Sequence, residues 1–257
     1  MTVPQSRISR PALVDLHCHL LPGLDDGAKS PQICFEMAKM AAAAGVGQIV
    51  CTPHCTTGDP YIHERMVRIQ RAVEILNYVF REKQLPVTLH SGIELLCNHR
   101  LQETLEKKEF LTLAGSRYLL IEFAFDASLS WIERAANAVY QEGYVPVLAH
   151  PERYTAVWRN PECLSVWFYA GYMLQLDKDS VLGRFGNHCA QTADWALRHG
   201  VAHAIASDAH DIRTRTTSLA RVRDYVAQRY SPGYADLLVR RNPARVVRNE
   251  DLEKPSD

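Results

Sequence analysis

Along this 257-residue chain, side chains able to hold a metal ion recur at the ends of short apolar runs. The first run closes on His17-Cys18-His19. Residues two apart in an extended segment point the same way, so both imidazoles can reach one ion. Asp26 follows in LDDGAKS, His54 ends Thr52-Pro53-His54, and Glu94 follows Ser91-Gly92-Ile93. Glu122 closes another run, His150 leads His150-Pro151-Glu152-Arg153, and Asp208 and His210 share Ser207-Asp208-Ala209-His210. Taken singly, each has an ordinary structural reading, such as a fortuitous His-x-His or a buried ion-pair partner. Together they do not, because burying four carboxylates without a cation is very costly. Imidazole plus carboxylate, with no thiolate committed, suits manganese, iron or zinc in a hydrolytic site better than a structural zinc.

The elements that must position these residues are legible from periodicity. Strand candidates are ALVDLH (12–17), GQIVCT (47–52), VTLHSG (87–92), RYLLIEF (117–123), VPVLAH (145–150), YMLQL (172–176) and AHAIAS (202–207). Several are apolar on both faces, as parallel strands buried on both sides require. Ser30-Pro31 supplies a helix cap and a first-turn proline, and Gly45 ends that helix. Ile62, Met66, Ile69, Val73, Leu76 and Phe80 recur at helical spacing, while Asn160-Pro161 and Asn242-Pro243 are expected to open two more helices. Seven strands alternating with helices make an α/β barrel or a large open α/β sheet, and a single barrel runs to roughly 250 residues. In such barrels the C-terminal strand ends converge on one face. We expect one domain over 1–257, with 1–10 and 250–257 flexible. His63, His90, His99, His188, His199 and His203 lie away from strand ends and are expected at the surface or as hydrogen-bonded core residues.

Composition excludes several classes. Lys+Arg and Asp+Glu balance at 29 each, which argues against a nucleic-acid footprint or an anionic membrane surface as partner. The seven cysteines are scattered and odd in number, consistent with reduced thiols in a cytosol. The polar start MTVPQSRISRPA lacks the apolar core of a signal peptide, and no run approaches the roughly 20 apolar residues of a membrane span. A cytoplasmic protein without membrane insertion is expected.

The stretches DLHCHLLPGLDDGAKS, CTPH, GIELL, RYLLIEF, LAHPERY and IASDAH occur in that order. In this they closely resemble the CpsB/CapC-type protein-tyrosine phosphatases of the polymerase-and-histidinol-phosphatase (PHP) superfamily, from about Leu13 to Val247. The resemblance implies a distorted seven-stranded (β/α) barrel with three divalent ions, usually manganese, at the C-terminal strand ends. Position by position, it puts His17, His19, Glu94 and Asp208 around the first ion. Glu94 would bridge to the second, completed by Glu122 and His150, and Asp26, His54 and His210 would hold the third. Asp25 is the neighbouring candidate for Asp26. The family's arginine after the AHPE element falls on Arg153, and a second phosphate-binding arginine falls on Arg215, with Arg213 its close rival. Two departures stand out: Cys55, where many relatives carry a second histidine or another polar residue, and a longer segment before Leu13.

Three divalent ions and one bridging hydroxide against four carboxylates leave a positive centre, which draws an anion such as a phosphate monoester. The expected reaction is attack of metal-activated hydroxide on phosphorus, with guanidinium forks on the phosphoryl oxygens. No cysteine is followed six positions later by arginine, as a cysteine phosphatase needs. The resemblance implies a bacterial tyrosine kinase controlling capsule or exopolysaccharide synthesis as the phosphotyrosine substrate. The rivals are a small-molecule phosphatase such as a histidinol-phosphate phosphatase, an amidohydrolase, and a non-catalytic metal-binding regulatory module. An amidohydrolase commonly uses a strand-four lysine, where this chain offers Glu122.

Overall fold

The computed structural model describes residues 12–255. Nine strands lie along it: β1 (Leu13–Cys18), β2 (Val46–Cys51), β3 (His54–Thr56), β4 (Thr88–Ser91), β5 (Glu94–Leu96), β6 (Tyr118–Glu122), β7 (Val145–Ala149), β8 (Met173–Asp177) and β9 (Ala204–Ala206). Every pairing is parallel, in the orders β1-β2-β4 and β3-β5-β6-β7-β8-β9. The protein is therefore an α/β fold built on two parallel sheets.

All seven expected runs are present, and two short strands that were not expected, β3 and β5, follow β2 and β4. Between β2 and β3 stands Pro53, which has no N–H for a ladder; its carbonyl instead accepts the Glu94 N–H at 3.3 Å. Between β4 and β5 stands Gly92, where a Cβ would come 3.0 Å from Val50 Cγ1. Each interruption re-aims the chain just before a candidate ligand, His54 or Glu94. Beyond β9, Ala209 bridges in parallel to Cys18. Asp208 N–H donates to His17 O at 2.9 Å and His19 N–H to Ala209 O at 2.9 Å. The last strand's continuation thus lies against the first strand's end.

Alternation along the strands divides the core in two. Val14, Leu16, Val50, Tyr118, Leu120, Val147, Ala149, Met173 and Ala204 form one apolar cluster. Leu119, Ile121, Leu148, Leu174 and Ile205 belong to the larger cluster that includes the buried faces of the helices. The Pro31–Ala43 helix starts as expected, with Ser30 Oγ accepting the Ile33 N–H at 3.3 Å, and Gly45 follows its end at φ +83°.

Asn242-Pro243 opens the Asn242–Val247 helix as expected, with Pro243 in its first turn, directly after a π-helical turn at Leu237–Arg241 that itself follows the Pro232–Asp236 helix. The wider turn suits Pro243, which has no N–H to give a regular α-helical ladder. Residues 250–255 carry no regular secondary structure, yet the chain is held at Glu253. Its N–H donates to Asn242 Oδ1 at 2.8 Å, its carbonyl accepts from Asn242 Nδ2 at 3.0 Å, and its carboxylate pairs with Arg241 and Arg245. The expected flexibility of 1–10, 256 and 257 lies outside the described residues.

Asn242 is fully buried and also donates to His203 O at 3.1 Å. Asn242→Ala should lower unfolding stability by about 1–3 kcal/mol, since it strands buried backbone partners. Limited proteolysis should then open the chain after residue 248. Unchanged denaturant midpoint and cleavage pattern would show that Glu253 is held without it.

Candidate metal centre

The nine residues at strand ends meet in one place. Ligand atoms of His17, His19, Glu94 and Asp208 lie within 4.8 Å of one another. The same holds for His19, Asp26, His54 and His210, and for His54, Glu94 and Glu122. His150 joins the third set from the side, its Nε2 lying 3.1 Å from Glu94 Oε1 and 3.5 Å from Glu122 Oε1. The four residues expected around the first ion and the three expected around the third each lie together, with His19 joining the second of these groups as well. Around the expected second ion, His54 stands beside His150, its Nδ1 3.0 Å from Glu94 Oε2. Glu94 touches every set except the one around Asp26.

Hydrogen bonds on the outer nitrogens fix how the imidazoles face. His19 Nδ1 donates to the Asp25 carboxylate at 2.6 Å, and His210 Nδ1 to the Asp208 carbonyl at 2.9 Å. Both partners only accept, so each Nδ1 carries a proton and each Nε2 can present a lone pair. His17 Nδ1 meets Gln175 Oε1 at 2.9 Å, and the Gln175 amide group is turned the other way, donating to Leu176 O. The result is His17 Nε2 facing His19 Nε2 at 3.1 Å. Two lone pairs at that distance repel unless positive charge lies on or between them.

Other unpaired atoms make the same point. Glu94 Oε2, with nitrogens of His17, His19 and His54 at 3.0–3.2 Å, and His210 Nε2, 3.3 Å from Asp26 Oδ1, are buried yet form no well-aligned hydrogen bond. Such outer contacts, leaving inner nitrogens free, are the usual support of metal-bound histidines. The donor set therefore fits divalent cations.

The electrostatics agree. Burial works against a charged His17, yet Glu94 and Asp208 overcome it and raise its pKa to about 9. Burial also opposes ionisation of Glu94, but His17, His150 and His19 hold it well below the usual carboxylate range. Glu122 is pushed up to about 7 by burial and then by Glu94 beside it. Burial holds His150 and His210 below the usual imidazole range, so the positive charge is drawn to the His17–His19 end, where a doubly charged cation gains still more.

The backbone is bent to deliver two of these groups. His150 leaves β7 at φ +34°, and Asp208 follows β9 at φ +46°. Left-handed backbone at non-glycine residues costs on the order of 1–3 kcal/mol and clusters at functional sites.

Both sequence-identified arginines reach the site. Arg153 Nη1 donates to Asp208 Oδ2 at 3.1 Å, and Arg215 pairs with the same oxygen. Asp177 is farther from Arg153, at 4.0 Å. Arg213 is exposed on the same loop, where its backbone N–H serves a turn closed by Asp211; Arg215 is the one that points inward. Asp25 is not beside His210 but behind His19, where it also accepts the His54 and Gly27 N–H groups. Cys55 is buried beside His54, and burial pushes its thiol up to about 12, so it stays protonated. None of the six histidines set aside enters a cluster among the described residues; His90 bonds Gln48 and His203 accepts from Leu174 N–H.

Sequence reasoning missed Gln175 and the supporting role of Asp25. A glutamine inside the otherwise apolar YMLQL run was the available signal for the first. A cavity of about 320 Å³ lined by Asp25, Asp26, His54, Cys55, Thr56, Asp59 and Arg65 opens beside the solvent-side set. A larger apolar cleft of about 740 Å³, between the Pro31–Ala43 helix and the Ile62–Glu82 helix, lies apart from the chemistry.

Asp25→Ala removes the acceptor that orients His19. It should weaken metal retention by about ten- to hundredfold, the usual cost of losing such a partner, with the fold intact by circular dichroism. Metal content after dialysis, by elemental analysis, checks this; wild-type retention would show that His19 needs no orienting carboxylate.

Comparison with known proteins places these features. The chain is 30% identical over 240 residues to the tyrosine-protein phosphatase YwqE of Bacillus subtilis, covering 93% of each. It is 27% identical to the tyrosine-protein phosphatase CpsB of Streptococcus pneumoniae, covering 93% of this chain and 99% of that one. Among solved structures, one reported with YwqE and CpsB as "unique metal-dependent tyrosine phosphatases" superposes with a TM-score of 0.84 at 28% identity, covering 94% of this chain and 97% of that one. A β-aspartyl dipeptidase from Fervidobacterium islandicum shares the fold alone, with a TM-score of 0.61 at 14% identity over 92% of this chain and 72% of that one. The family described as "Capsular polysaccharide synthesis, CpsB/CapC" matches residues 13–248. On that match the chain belongs to the CpsB/CapC family.

Proposed function

We propose that this chain is a metal-dependent protein-tyrosine phosphatase, working as one catalytic domain on a distorted seven-stranded barrel. Counting β2 with β3 and β4 with β5 as interrupted strands supports the barrel. The observation that carries the activity is Asp208. One of its oxygens faces His17 and His19 at 3.4 and 3.3 Å, and the other receives both arginines. A cation cluster and two guanidinium groups thereby meet at one buried carboxylate, which suits a phosphoryl group and little else.

In this reading His17, His19, Glu94 and Asp208 hold one divalent ion. Glu94, Glu122 and His150 hold a second, with His54 in reach, and Asp26, His54 and His210 hold a third, with His19 in reach. The oxygen- and nitrogen-rich donor set favours manganese, with iron or zinc compatible. Bound ions supply Lewis acidity and lower the pKa of coordinated water. The chain's own part is to fix the imidazole tautomers, to keep Glu94 and Asp208 ionised, and to aim Arg153 and Arg215 at the phosphoryl oxygens, where the transition-state charge lies. The half-open side, where Asp26 and His54 side chains are 64% and 38% exposed, gives access from solvent.

The relatives' names support phosphotyrosine as substrate, and the family's link to capsular polysaccharide supports a bacterial tyrosine kinase in capsule or exopolysaccharide synthesis as the protein that carries it. We place the reaction in the cytoplasm. All seven cysteines are free, and no described helix is long and apolar enough to cross a membrane.

Incubation with a chelator should abolish hydrolysis of p-nitrophenyl phosphate and of a phosphotyrosyl peptide, and manganese should restore both better than magnesium. Full activity in chelator would remove the metal from the reaction, and a clear preference for histidinol phosphate over the peptide would replace the protein substrate by a small molecule. Arg215→Ala should weaken inhibition by inorganic phosphate by about tenfold or more, the scale of a lost charge-assisted hydrogen bond, with metal content unchanged. An unaltered inhibition constant would release Arg215 from the phosphate site.

A further inference from the structure

The Arg153 guanidinium lies over the faces of two phenyl rings, with Cζ 4.6 Å from the centroid of Phe125 and 4.7 Å from that of Phe185. Arg215 also approaches Phe185, its Cζ 5.9 Å from the same centroid. Neither ring is idle filling of the core. Phe125 is 45% exposed, and Phe185 is half-buried on a loop. Both are nonetheless held. Phe125 packs edge-on against His150, centroids 6.1 Å apart, and its carbonyl accepts the Thr155 N–H at 2.8 Å. Phe185 stands between Gly183 and Gly186, whose φ angles of +78° and +88° make the turn that presents it. Its neighbour Arg184 donates to Asp179 Oδ1 at 3.0 Å and to Thr214 O at 3.4 Å, tying this loop to the one that carries Arg215.

We propose that Phe125 and Phe185 are positioning residues for phosphate capture, Phe185 seating the guanidinium groups of both Arg153 and Arg215 and Phe125 bracing Arg153. This rests on the reading of the two arginines as phosphate ligands. A guanidinium donates only in its own plane, so rings packed against it limit the directions in which the N–H fork can point. Attraction between each ring's face and the cation holds the group in place without using any of the donors. A carboxylate in the same place would hold the arginine too, but would occupy the fork. Aromatic seating leaves Arg153 with Asp208 as its one side-chain hydrogen-bond partner among the described residues, and keeps its remaining N–H groups for an anion. The shared ring also lets two like charges sit near one carboxylate oxygen at a fixed spacing.

The alternative use of these rings, stacking directly on the aryl group of a substrate, is separable because inorganic phosphate has no aryl group. The inhibition constant for inorganic phosphate and kcat/KM for p-nitrophenyl phosphate would be measured on the manganese-loaded full chain for Phe185→Leu, Phe185→Trp, Arg153→Gln and the Leu/Gln double variant. Metal content and thermal midpoint would be recorded for each. Phe185→Leu should raise the phosphate inhibition constant about fivefold at unchanged metal content, Phe185→Trp should restore it, and the effect should shrink in the Arg153→Gln background to the smaller part exerted through Arg215. Phe125→Leu, at a more exposed position, gives the same test should the first variant not fold. A phosphate constant unchanged in Phe185→Leu while that of Arg153→Gln rises overturns the positioning role alone. Equal effects of Phe185→Leu in both backgrounds overturn it as well. An unchanged constant in Arg153→Gln removes the phosphate role of that arginine, and the positioning role falls with it.

Discussion

Glu94 and Asp208 set the constraint that the rest of the site answers. Both carboxylates are almost wholly withdrawn from water, and an ionised carboxylate taken into a protein interior costs several kcal/mol even after relaxation. Neither is matched by a lysine. Instead each is ringed by imidazoles, His17, His19, His54 and His150 around Glu94 and His17, His19 and His210 around Asp208. Asp208 also receives Arg153 and Arg215, and Glu94 and Asp208 together hold a proton on His17; divalent cations would put more positive charge at the same point. The two parallel sheets, the Pro53 and Gly92 interruptions and the left-handed residues at His150 and Asp208 all bring donors to that point.

How much of this was readable in the sequence depends on how local each signal is. Strands are local: apolar runs of a few residues between turn signals, and all seven recur in the fold. Their ends are local too, so His17, His19, His54, Glu94, Glu122, His150, Asp208 and His210 could be picked out one by one. What distance in the chain hides is which groups stand behind them. Asp25 and Asp26 are adjacent in sequence and indistinguishable by type. Only the fold turns one towards His19 Nδ1 and the other towards His54 and His210. Phe185 gave no signal at all, since its partner Arg153 lies in another segment and nothing in a lone phenylalanine marks it. Asn242-Pro243 was legible as a helix start, but the dipeptide says nothing of the π-turn before it or of the three backbone partners of the buried Asn242 amide.

The site is also graded from inside to outside. His17, His19, Glu94 and Asp208 are inaccessible, whereas Asp26 and His54 open onto a cavity. Exchange with solvent should therefore differ among the clusters. The first four ligands are all buried, whereas an ion near Asp26 would have an exposed carboxylate among its ligands. The outer-nitrogen contacts follow the same gradient. His17 and His19 are braced by Gln175 and Asp25, and His54, the most exposed histidine of the site, has both ring nitrogens near carboxylates within the clusters themselves.

Asp208 joins this graded cluster to the arginines, and the direction of that coupling can be argued. Its Oδ1 lies within 3.4 Å of His17 and His19, so a cation there draws electron density from the whole carboxylate. Oδ2 then becomes a weaker acceptor for Arg153 and Arg215, both of which now rest on it. On the reading of the two arginines as phosphate ligands, loading the cluster would loosen their hold on protein and raise what they gain from an incoming anion. With Phe125 and Phe185 against its guanidinium, Arg153 would give up a partner and keep its seat. The consequence would be order: cations first, phosphoryl group second, since the same carboxylate oxygen that keeps the arginines home in one state would release them in the other.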